Sequence, residues 1–198
     1  MALLRFLIAI CLPLAVWGFD YQLCFLMDGP NLGTIEAARA KELQAAHMEH
    51  IMSMWRSGAL ETAGPVGKFD KVQGIFIFSV PKEKALELAG ADPKVMAGVL
   101  KVDCSTWVGP AGIGKAYREM YGKPGFKEKY VRMVGVLTNE IRMGEGLGPV
   151  KVAGALKGSP YGYFLLIETD QLDEVRKKLP EATTFLWMHD PMVWKGVQ

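Results

Sequence analysis

Proton transfer is the chemistry that this chain's side chains suit best, and its three histidines, His47, His50 and His189, are the candidates. Imidazole titrates near neutrality, so it takes and returns a proton at small cost. His47 and His50 stand at i and i+3, on a helical face shared with Leu43, Ala46, Ile51 and Met54. A histidine on such an apolar face is either a satisfied core residue or a base that needs an orienting carboxylate. The i, i+3 pair allows joint metal ligation, but Glu49 lies on another face and the helix supplies no third ligand. No metal is implied, and no cofactor. Gly144–Gly148 is glycine-rich but has no lysine, so it does not read as a phosphate loop. No serine sits in a nucleophile elbow.

The chain that must position these groups has 198 residues, half of them apolar and 22% charged, with a net charge of +2. That suits a packed globular protein rather than a disordered one. Charge of both signs is spread along the sequence with no basic block, which argues against a nucleic-acid partner and against a polybasic membrane patch. Residues 1–18 have the layout of a secretory signal peptide: Arg5, an apolar run from Phe6 to Trp17, small residues at Val16 and Gly18, and a polar restart at Asp20. The run is too short for a comfortable membrane span of roughly 20 residues. The expectation is export, to a secreted or periplasmic location, with no stable membrane insertion after the leader is removed. Removal of Cys11 leaves Cys24 and Cys104, an even pair in a compartment that permits disulfides.

Tyr21–Met27 is an apolar run ended by the turn signal Asp28-Gly29-Pro30-Asn31, which predicts a strand. Thr34 stands where it can cap the following helix, and Gly58 stands where that helix should end. Ala59–Ala63 and Gly74–Val80 predict two more strands, Lys82–Gly90 a second helix, and Val99–Trp107 a fourth strand. The order β-α-β-β-α-β is that of a ferredoxin-like unit, in which the first and fourth strands are antiparallel neighbours. Cys24 and Cys104 can then face one another, as a bridge or as two buried thiols. Residues 110–125, rich in glycine among charged residues, read as a linker. Beyond them the pattern returns in degenerate form. Val150–Leu156 echoes Leu60–Val66, Tyr163–Glu168 echoes Ile75–Phe78, and Trp194-Lys195-Gly196 answers Trp107-Val108-Gly109. Residues 130–138 fit either a strand or a helical stripe, with Gly135 favouring the strand.

The ordered pieces YQLCFLMDGPN, AAHMEHI, LETAGP, GIFIF, ADPKVMAG and TWVGPAGIG, from Tyr21 to about Gly114, resemble the YciI-like (YCII-related) family. The resemblance implies small ferredoxin-like domains that pair through their sheets, as in dimeric α/β barrels, and a histidine and an aspartate as the proposed active site. The family histidine falls on His47, by its distance from Gly64 in the AGP break, and not on His50. The family aspartate falls on Asp92 of Asp92-Pro93. In the second half Leu137 stands near the histidine position, and His189-Asp190-Pro191 lies too late, so one site per chain is implied. Applied to both halves, the resemblance implies an α+β protein. Tandem ferredoxin-like (βαββαβ) lobes, residues 19–109 and 126–198, would pack sheet to sheet as a pseudo-dimeric α/β barrel.

The functional expectation is an exported YciI-like enzyme of small molecules, of lyase, isomerase or dehalogenase type. His47 would be its general acid/base, oriented by Asp92, with a pocket of His50, Gly64, Pro65 and Trp107. The alternative is a non-catalytic ligand-binding or assembly module that uses the same cleft. A small-molecule ligand is the expected partner, and the chain would be a monomeric pseudo-dimer or a homo-oligomer.

Overall fold

In the computed structural model, which describes residues 18–67, 69–140 and 147–197, the apolar runs become eight strands with helices between them. The first half holds β1 (Gly18–Asp28), α1 (Ala37–Arg56), β2 (Leu60–Gly67), β3 (Val72–Phe78), α2 (Lys82–Gly90), the one-turn α3 (Pro93–Met96) and β4 (Leu100–Pro110). Then come α4 (Lys115–Met120), β5 (Val131–Thr138), β6 (Val150–Lys157), β7 (Tyr163–Ile167), α5 (Leu172–Lys178), β8 (Thr183–His189) and a 3-10 turn at Pro191–Trp194. Of the expected leader, residues 1–17 lie outside the described residues, whereas Gly18 already pairs with Pro110. Among the described residues no helix is long and apolar enough to cross a membrane.

The expected fold class is corrected here. Two ferredoxin-like lobes packed sheet to sheet, as in a dimeric α/β barrel, would leave two sheets facing each other. Instead all eight strands are antiparallel and close in the order β1-β3-β2-β8-β5-β7-β6-β4 into one β-barrel with few helices. The seams are β2 with β8, through Val66↔Trp187, and β4 with β6, through Trp107↔Leu156. Closure gives partners to strands that would otherwise be open edges. That gain comes from pairing across the whole chain, which the patterning of each strand does not encode.

Strand alternation sends one set of side chains inward and the other outward. The inward set, including Leu23, Ile75, Ile77, Trp107, Phe164, Phe185 and Trp187, fills the barrel as its main core. Each such large side chain contributes roughly 1.5–3 kcal/mol on burial. The outward set of β1, β3 and β4, namely Cys24, Leu26, Phe76, Phe78, Leu100 and Cys104, packs beneath α1 and α2. A third cluster joins Val134, Val136, Leu165 and Ile167 to Leu172 and Val175 of α5. Residues 139–149 are all that separates β5 from β6, so the second half has no room for a counterpart of the 20-residue α1.

Two glycines explain the echo between AGP and AGA. A Cβ on Gly64 would stand 2.0 Å from the Met188 carbonyl oxygen, and one on Gly154 would stand 2.1 Å from that of Val108. At both places an indole also presses in, Trp187 over Gly64 and Trp107 over Gly154. The counterpart of Trp107 is therefore Trp187 and not Trp194, which belongs to the closing 3-10 turn. Cys24 and Cys104 are direct partners in the β1–β4 register and are joined by a disulfide. A cross-link of this sequence separation, 80 residues, stabilises by about 4 kcal/mol.

Residues 110–125 are not featureless. They contain α4, whose Arg118 guanidinium donates to the main-chain oxygens of Trp55 and Leu60 and reaches Glu61 at 3.3 Å. Thr34 does not cap α1. Its hydroxyl donates to the Asn31 carbonyl at 2.9 Å, and the helix starts later, with Glu36 as the preceding residue.

Candidate functional site

Helix α1 lies on the outer side of the barrel against β2, and its inward face carries Leu43, His47 and Met54. Straight-chain and alanine residues in its first half favour the helix, and the apolar stripe fixes which face turns in. His47 is 9% exposed, and its ring lies nearly parallel to that of Phe76 on β3, 6.2 Å between centroids. Asp92 arrives from the opposite side, on the loop that opens α3. Its Oδ1 accepts from the Lys94 main-chain N–H at 2.9 Å, which caps the turn, and Pro93 pre-sets the backbone at the next position. The other oxygen, Oδ2, lies 2.6 Å from His47 Nδ1. Asp92 is fully buried, so both its oxygens have the partners that a buried carboxylate requires.

This arrangement fixes the imidazole. With Nδ1 held by the carboxylate, Nε2 is the ring nitrogen left to serve a ligand. His47 borders a cavity of about 440 Å³ between α1 and strands β2 and β3. Apolar residues line most of it, among them Leu26, Ile51, Met52, Trp55 and Phe76. Gln44, one turn before His47, and Lys94 stand at one end, and Tyr117, Glu128 and Tyr130 belong to the part beyond Trp55. The Tyr117 hydroxyl donates to Glu128. Burial first, and the Glu128 carboxylate second, push the Tyr117 and Tyr130 hydroxyls above the usual tyrosine range, so both stay protonated at neutral pH.

The expected pocket is only partly assembled here. Gly64 and Pro65 line the cavity beside His47. Trp107 and His50 do not. Trp107 points into the barrel, because it stands an odd number of residues from outward-facing Cys104. His50 is turned toward α2 and donates through Nε2 to the Leu88 carbonyl at 2.8 Å, which ties the two helices. His189 lies on β8 within the barrel and does not line this cavity. No cluster of metal-ligating side chains occurs among the described residues. Gln44, Lys94, Tyr117 and Glu128 were not singled out by the sequence. Gln44 carries a signal, the i−3 spacing from His47, whereas the others reach the cavity only through the tertiary fold. A wider groove of about 950 Å³ near Trp194, bordered by several lysines, contains no histidine.

Comparison with protein-family models, with curated proteins and with solved structures gave no match to this chain.

Proposed function

We propose that this chain is an exported enzyme of small molecules, YciI-like in its site, that moves a proton between His47 and a bound substrate. The contact of 2.6 Å between His47 Nδ1 and Asp92 Oδ2, at the wall of an apolar cavity, carries this reading. Asp92 holds the neutral ring in the Nδ1–H tautomer and compensates the imidazolium that forms when Nε2 takes a proton. Proton abstraction next to an activating group, followed by proton return or loss of a leaving group, is the step shared by lyases, isomerases and dehalogenases. The apolar walls exclude water, which strengthens the electrostatic coupling of the pair. The Cys24–Cys104 disulfide agrees with an oxidising compartment.

Imidazole nitrogen NMR tests the arrangement. Neutral His47 should show Nδ1 protonated and Nε2 bare, and Asp92→Asn should disturb that tautomer. Against a substrate found by ligand screening, His47→Gln should lower kcat/KM by about 10²–10⁴ with the fold intact. A ligand that binds in the cleft and is never turned over would make the protein a binding module instead.

A further inference from the structure

Lys94 is the lysine among the described residues that line the cavity. Its ammonium group donates only to the neutral side-chain oxygen of Gln44, and among the described residues no carboxylate forms an ion pair with it. Desolvation lowers its pKa, opposed by the charge of nearby Asp92, whose two oxygens are already engaged by His47 and the Lys94 main chain. The acidic residues along the cavity are in a different position. Glu128 accepts from Tyr117, Glu61 meets Arg118, and Asp190 accepts from the main-chain N–H groups of Lys129 and Met192. Distance along α1 sets the layout. From Gln44 to Trp55 is eleven residues, about 16 Å at 1.5 Å per residue. The cleft thus offers a polar, proton-active end at Lys94, Gln44 and His47, where an ammonium group stands near the buried Asp92 carboxylate, and then an apolar run past Ile51 and Met52.

We infer that the substrate is a carboxylate with an extended apolar body, its anionic head held by Lys94 beside His47 and its body laid along α1 toward Trp55. This rests on the acid/base reading of His47 and adds the substrate class. Lys94 is then the specificity-determining residue.

Calorimetric titration with octanoate, octanol and octylamine, three probes of equal chain length, tests the inference. Octanoate should bind the native protein about tenfold or more tighter than either of the others, the size expected for a hydrogen bond to a charged group. Lys94→Gln should bring octanoate down to the level of octanol, and Lys94→Arg should keep the preference. Equal binding of octanoate and octanol, tightest binding of octylamine, a preference that survives Lys94→Gln, or no binding of any probe would each overturn the inference. His47 ring resonances separate this from failure of the catalytic reading. If octanol or octylamine shifts them, the cleft remains the site and only the anionic head is wrong; if no probe does, both readings fall.

Discussion

Two histidines of this protein are buried, and they are solvated by the protein in opposite ways. His47 has a carboxylate at 2.6 Å. His189 is fully buried between the rings of Trp187 and Trp194, and neither of its nitrogens has a hydrogen-bond partner. Burial pushes its pKa down to about 4 from 6.5. The unfolded chain therefore binds a proton below about pH 6.5 that the folded one refuses until about pH 4. Stability from this residue is intact above the unfolded value and is lost as pH falls through that window, by about 3 kcal/mol in all. Urea unfolding between pH 7.5 and 4.5 should show this loss, and His189→Phe should flatten that part of the profile. Sequence spacing identified the buried face on which His47 lies. Its partner came only from the family resemblance, because Asp92 is 45 residues away and nothing local joins them. Lys94 and Glu128 were invisible for the same reason.

At the scale of elements, the strands pack closely where glycines permit it. Gly154 lets the Val108 carbonyl and the Trp107 indole approach β6, and Gly64 does the same for β8 against β2. Gly154→Ala should cost about 3 kcal/mol, the upper part of the range for overpacking, because backbone rather than a flexible side chain stands in the way. Thermal unfolding should show it, and the His47 resonances should stay in place, since Gly154 is on the half without α1. The apolar runs of the strands were legible, whereas residues 130–138 fitted strand and helix alike; they form β5, where Gly135 leaves room for the ring of Phe185. Which tryptophan answers Trp107 was not. The repeated WxG ending pointed to Trp194, whereas the matching place is defined by the strand that crosses Gly64.

For the whole molecule, the β2–β8 and β4–β6 seams decide what can stand alone. Residues 19–109 taken by themselves would form a four-stranded sheet with two open edges, on β2 and β4, in place of a closed ring. Such a fragment should associate or precipitate, measured as mass by size exclusion with light scattering, whereas the full chain has all eight strands paired. Barrel closure escaped the sequence because each seam rests on a few residue pairs from distant parts of the chain, with no composition of their own. The disulfide adds a boundary of another kind. His47, Asp92, Lys94, Gly64 and Pro65 all fall between Cys24 and Cys104, so the proton-transfer end of the candidate site belongs to one covalent ring. A protease that cut once at the exposed Asp70–Lys71 turn would open that ring without releasing either member of the pair, since the piece bearing His47 would stay tethered to the piece bearing Asp92 until a reductant reached the buried sulfurs.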